Sequence, residues 1–152
     1  MAASLAAVSL VAVGCAGTRS ATPDTGAATG IDPLGAAFLF GMATASFQVE
    51  RATPDSNWSR YANSGAVTHP VGDATDFYHR YNDDIVLARG LGAEVFRISV
   101  EWTRLQPNPG ERDPTALKYY DRVLASIRAA DMRPMITPDH SVYPGWKSDQ
   151  GG

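Results

Sequence analysis

Three short clusters of chemically capable side chains each follow directly on an apolar run: Ser46-Phe47-Gln48-Val49-Glu50, Glu101-Trp102-Thr103-Arg104 and Asp139-His140-Ser141. Amide, carboxylate, aromatic and imidazole groups gathered in this way suit a hydroxyl-rich ligand. Planar polar groups hydrogen-bond hydroxyls in pairs, and aromatic faces pack against the apolar side of a ring. Carboxylates also raise acid–base chemistry, which needs groups that face one reacting bond. The chain has four glutamates, of which Glu94 precedes an apolar run and Glu111 lies in a turn beside Gly110. That leaves Glu50, Glu101 and Asp139 as the only trio at the ends of the runs. Other chemistries find less support. Three His and one Cys give no grid with metal-ligand spacing, so no metal is expected. The 13 Lys plus Arg are spread without a basic stripe and the net charge is −3, which argues against nucleic acid as a partner.

The elements that must position these clusters can be read from periodicity. Phe38 to Ala43 is a continuous apolar run, suited to a strand buried on both faces. A polar loop with Trp and Pro follows, from Arg51 to about Gly72. Helical spacing links Tyr78, Tyr81, Ile85, Ala88 and Leu91, with Asp73 or Asp76 available as N-cap and Gly90-Leu91-Gly92 as the stop. Val95 to Val100 reads as a second strand. Asp113 caps a second helix with Pro114 at its first position, and Leu117, Tyr120, Leu124 and Ile127 mark one face of it. Pro134 to Thr137 reads as a third strand, its proline tolerable at the strand start. The order β-α-β-α-β implies an α/β fold with a parallel sheet and right-handed crossovers. A doubly wound sheet and an incomplete TIM (β/α)8 barrel both fit that order. The turn after the first strand lacks the glycine pattern of a dinucleotide site. In either architecture the working face lies at the C-terminal ends of the strands, where the three clusters stand.

The front of the chain is of another kind. Residues 1–18 begin without charge, and Leu5 to Val13 forms a short apolar stretch followed by Gly14-Cys15-Ala16-Gly17. A stretch of this length ending in small residues reads as an export signal, too short to span a bilayer. Its Ala12-Val13-Gly14-Cys15 end resembles a bacterial lipobox, which makes Cys15 a lipidation candidate; a plain secretory signal with an incidental cysteine is the alternative. The absence of Lys or Arg before the apolar stretch departs from both patterns. The expected location is extracytoplasmic, with membrane contact only through a lipid anchor at Cys15. Residues 19–33 are dominated by Ser, Ala, Thr, Gly, Pro and Asp, which cannot bury enough apolar surface to fold, so a disordered linker is expected there. The folded part then runs over 34–152.

Several motifs carry a family resemblance. Phe38-Leu39-Phe40-Gly41-Met42-Ala43-Thr44-Ala45-Ser46-Phe47-Gln48-Val49-Glu50 comes first. Asn57-Trp58, the run Asp76 to Ile85, and Phe96 to Pro107 follow, then Tyr119-Tyr120-Asp121, Thr137 to Pro144 and Gly151-Gly152. In order and spacing these closely resemble the N-terminal portion of glycoside hydrolase family 1, the β-glucosidase and β-galactosidase family.

That resemblance implies a retaining β-glycosidase barrel with two catalytic glutamates, one on strand four and one on strand seven, and no cofactor. Both lie outside the matching motifs, so the expectation is a chain that holds part of the sugar site, lacks the catalytic pair and is inactive alone. Gln48 and His140 match residues that bind the non-reducing sugar of a β-glycoside substrate. Arg97 matches the arginine beside the nucleophile, whose charge keeps that glutamate ionised. Simpler roles stand beside these: a loop-capping amide for Gln48, a strand-end hydrogen bond for His140, and neutralisation of a buried carboxylate for Arg97. Ser141 and Pro138-Asp139 depart from the family pattern, and Trp58 and Trp102 read as packing residues before sugar-stacking ones. A non-catalytic carbohydrate-binding lipoprotein is the competing reading. Oligomeric state is not legible.

Overall fold

The computed structural model describes residues 34–51, 54–69 and 71–151. The export signal, Cys15 and the linker expected over 19–33 lie outside the described residues. In chain order the elements are β1 (Gly41–Ala43), α1 (Ser46–Val49), α2 (Asn57–Tyr61), α3 (Phe77–Gly90), β2 (Val95–Ser99), α4 (Trp102–Leu105), α5 (Pro114–Ala129), β3 (Arg133–Thr137) and α6 (Gly145–Ser148). The strands pair in parallel in the order β1-β2-β3. Gly41 to Ala43 align with Val95 to Arg97, and Val95 to Ser99 with Arg133 to Thr137.

The two long helices form for the reasons their sequences give. Asp113 accepts from the Thr115 and Ala116 amides (2.7 and 3.4 Å), and Pro114 occupies the first helical position of α5. The α3 helix ends at Gly90, and Gly92 takes φ of 89°, a conformation open to glycine at little steric cost. Ile85 and Ala88 of α3 meet Tyr119, Tyr120, Val123 and Ile127 of α5 over Phe96 and Ile98 of β2. This aromatic-rich layer, with Tyr78 stacked on Tyr119 at 4.3 Å between centroids, is the core and fixes the sheet beneath the rim.

Several expectations need correction. The first strand is only Gly41–Ala43 and is exposed, not buried on both faces. Among the described residues it is a sheet edge with β2 as its one neighbour, and Phe40 and Met42 meet solvent. Leu91 and Leu117 are also exposed, since they fall off the faces turned to the core. Asp76 sits at the N-cap position of α3 in a left-handed conformation, but it caps no backbone amide. Its carboxylate instead lies 2.8 Å from His79 Nδ1, while Asp73 pairs with Arg51 at 2.5 Å. The segment read as a loop from Arg51 to Gly72 contains α2, capped by a reciprocal Ser56–Ser59 box and followed by a wider turn over Ala62–Ala66.

Candidate functional site

At the C-terminal ends of the strands a cleft of about 310 Å³ is lined by Ala45, Ser46, Phe47, Gln48, Trp58, His140, Ser141 and Val142. Gln48 reaches it because β1 turns directly into α1. The turn is held to β2 by the Thr44 amide, which donates to the Arg97 carbonyl (2.9 Å), and by the Ser46 amide, which donates to Ser99 Oγ (2.7 Å). His140 and Ser141 reach it from the loop after β3. Asn57 fastens that loop to α2: its Nδ2 donates to the Ser141 carbonyl and its Oδ1 accepts from the Tyr143 amide, both at 3.1 Å. The Trp58 indole N–H donates to the same Ser141 carbonyl at 3.1 Å. The two candidate sugar ligands, far apart in sequence, thus face one cleft.

Beneath the rim lies a buried polar network. Ser99 Oγ donates to Ser46 Oγ (3.1 Å), which donates to Glu101 Oε2 (3.0 Å). Thr103 Oγ1 donates to the other Glu101 oxygen (2.8 Å), and Glu101 caps α4. The Tyr120 hydroxyl accepts from the Glu101 amide (2.8 Å) and donates to the Glu50 carboxylate (3.1 and 3.2 Å). Arg104 Nε pairs with Glu50 at 3.1 Å, and its guanidinium lies 4.6 Å from the centre of the Tyr78 ring. Burial pushes the Glu50 carboxyl up to about 7, against the opposing pull of Arg104 and the Tyr120 hydrogen bond. Burial also raises Glu101, against its hydrogen bonds from Thr103 and Ser46.

These placements sort the sequence candidates. Gln48 and His140 are brought together at the cleft; Glu50 and Glu101 meet in the buried network through Tyr120, and Asp139 stands apart from them. Glu50 and Glu101 are buried with their oxygens engaged inside the protein, whereas Asp139 is exposed. Arg97 is half-buried on β2, on the sheet face opposite Phe96 and Ile98, and its Nη1 donates to Thr137 Oγ1 at 3.4 Å. Trp102 packs edge-on against Trp146 at 5.9 Å. Trp58 packs against Phe47 and Tyr61 and also lines the cleft, 44% exposed. Sequence places Ser46, Phe47 and Thr103 in the clusters without a role of their own, and gives no site signal for Val142 or for the bracing hydroxyls of Ser99 and Tyr120. Alternation along β2 places Ser99 on the face of Arg97, but nothing in sequence pairs it with Ser46.

The chain matches glycosyl hydrolase family 1 over residues 31–152. It is 35% identical over 113 residues to the 6-phospho-beta-galactosidase of Lacticaseibacillus casei (strain BL23), covering 70% of this chain and 24% of that protein. It is 36% identical over 122 residues to thermostable beta-glucosidase B of Thermobispora bispora, covering 76% of this chain and 26% of the relative. Among solved structures, a beta-glucosidase from Exiguobacterium marinum superposes with a TM-score of 0.71 at 33% identity, over 76% of this chain and 28% of that one. The chain therefore spans about a quarter of the length of the relatives it matches.

Proposed function

The chain belongs to glycosyl hydrolase family 1, and from that premise we propose that residues 34–152 form part of a TIM (β/α)8 barrel that holds the non-reducing sugar of a β-glycoside. The observation that carries this reading is the convergence of Gln48 and His140 on one cleft at the strand ends. The three parallel strands and two long crossover helices fit the opening of such a barrel.

Retaining hydrolysis uses two carboxyls about 5–5.5 Å apart, one as acid and base, the other as nucleophile. Glu50 and Glu101 are unsuited to either role, because both are buried and their oxygens are engaged by Arg104, Tyr120, Ser46 or Thr103, and neither lines the cleft. We assign both catalytic carboxyls to positions outside residues 1–152. Arg97 is the residue of this chain that would stand beside the nucleophile, its fixed charge favouring the ionised form. For location, we propose export, with Cys15 as the anchor, on the strength of the apolar run from Leu5 to Val13 and the residues before the cysteine. Unmodified Cys15 in intact protein from membrane fractions, seen by mass spectrometry, would sink the anchor.

Binding and turnover test the sugar reading together. The whole chain titrated with methyl β-D-glucopyranoside and followed by NMR is expected to show saturable shifts at the cleft. Gln48→Ala and His140→Ala should each weaken binding by about tenfold, the scale of one lost hydrogen bond to a ligand. Aryl β-glucosides should not be turned over by residues 1–152 alone. Absence of binding defeats the proposal, as does turnover that disappears in Glu101→Gln.

A further inference from the structure

Gln48 stands in α1, a helix of only four residues whose N-cap is Ala45, a residue with no side-chain acceptor. So short a helix does not hold itself together in water, and its unpaired amides need partners from elsewhere. The corner between β2 and α4 supplies them. Ser99 Oγ accepts from the Ser46 amide (2.7 Å), as a cap lent by another strand. Glu101 Oε2 accepts from the Ser46 hydroxyl (3.0 Å), which itself accepts from Ser99 (3.1 Å). The first residue of α1 is thus gripped at both its amide and its side chain. The far end is tied to the same corner. Glu50, directly after α1, accepts from the Tyr120 hydroxyl (3.1 Å), which in turn accepts from the Glu101 amide (2.8 Å).

We propose that Ser99 and Glu101 are positioning residues for sugar binding: they cap α1 from outside and so fix the Gln48 amide against the ligand. This rests on the sugar-holding reading above. Both residues are buried and neither lines the cleft, whereas Ser46 and Gln48 both do. The second oxygen of Glu101 is held by Thr103, from its hydroxyl (2.8 Å) and its amide (3.4 Å). The carboxylate therefore cannot turn from Ser46 without breaking bonds inside α4. Hydrogen bonds to a ligand fail when the donor or acceptor drifts by about 1 Å, so a loosened α1 forfeits what Gln48 contributes. Because Ser99 and Glu101 touch no ligand, their whole effect on affinity passes through α1. Its ceiling is the contribution of Gln48 itself, about tenfold.

The test uses the full chain and methyl β-D-glucopyranoside, read by NMR titration. Ser99→Ala and Glu101→Ala are made alone and combined with Gln48→Ala. Each alone should weaken binding by about fivefold to tenfold, and Glu101→Gln, which keeps a polar partner for Ser46, should restore most of the loss. In the Gln48→Ala background the further loss should be less than about twofold, since the residues act as a unit. Hydrogen exchange should speed at the Val49 and Glu50 amides, which bond back to Ala45 and Ser46, and stay unchanged at Val123 and Ile127 of α5. Additive losses in the combined variants, or faster exchange in α1 and α5 alike, would mean that the two residues support the whole fold, and would overturn the proposal. Binding that Gln48→Ala weakens and both other substitutions leave unchanged would overturn it too, with the sugar site intact. No binding by the wild-type chain removes both readings. Should Glu101→Ala not fold, Ser99→Ala decides the matter by the same measures.

Discussion

Glu50 is a carboxylate buried to 2% exposure, between one cation and one phenol. Its carboxyl is pushed up to about 7 by burial, above its ordinary value near 4.5. The folded state therefore binds a proton more tightly than the unfolded chain. The stability this contributes is fully present below about pH 4.5 and is lost as pH rises through about 7. Glu101, also raised by burial, acts with the same sign. Asp149, lowered by its hydrogen bond from Arg60, acts with the opposite sign at lower pH, but it is exposed and its weight is small. The expected outcome is a urea midpoint higher at pH 5 than at pH 8, with a smaller difference in Glu50→Gln. An unchanged midpoint across that range, or an equal slope in the variant, contradicts the assignment. Arg104 and the Tyr120 hydroxyl both favour the charged form, so the experiment weighs burial directly against pairing.

Helix α2 and the loop after β3 meet through Asn57, whose side chain spans Ser141 and Tyr143 while its amide donates to the Tyr143 carbonyl at 3.1 Å. Removing the side chain leaves the Tyr143 amide without its acceptor. Asn57→Ala should therefore speed hydrogen exchange at Tyr143, whereas Asn57→Asp, which keeps an acceptor, should preserve protection there. Both should weaken sugar binding, because each removes the Asn57 donor to Ser141 and leaves the Trp58 indole as the remaining one of the two. Equal exchange rates in wild type and Asn57→Ala would disprove the clamp. None of this was legible in sequence, and the reason is length. Helices α3 and α5 run for 14 and 16 residues, long enough to display a face, a stop at Gly90-Leu91-Gly92 and a cap at Asp113. Helices α1, α2, α4 and α6 have four or five residues each, too few for a period to show, and α2 announces itself only by an unusual Ser-x-x-Ser box. The candidate site divides in the same way. Gln48 and His140 are legible from matching motifs, while the cleft position of Trp58 depends on α2 meeting the loop after β3, and the Ser46–Ser99–Glu101 network on the pairing of β1 with β2, neither of which one-dimensional spacing reveals.

At the scale of the whole molecule, the packing is one-sided. Helices α3 and α5 cover Phe96 and Ile98 of β2, whereas the outer strands carry exposed Met42, Met135 and Ile136. Among the described residues both β1 and β3 are edges of the sheet, with hydrogen-bonding positions open to another strand. Exposed apolar side chains on an open parallel edge favour association, since pairing and burial are gained together. The chain of residues 1–152 prepared by itself should therefore self-associate at micromolar concentrations and bind an apolar dye such as ANS. Met135 offers a specific check, because it is 55% exposed and stands in register with Arg97. Met135→Glu replaces exposed apolar surface with a charge that can pair across the strands, worth roughly 0.2–1 kcal/mol. It should shift the chain toward monomer in sedimentation velocity and reduce dye binding without lowering the urea midpoint. Ile98→Glu, which buries the same charge in the core, should unfold the chain instead. A wild-type chain that sediments as one monomeric species and leaves the dye dark would show that the open sheet is not the source of association.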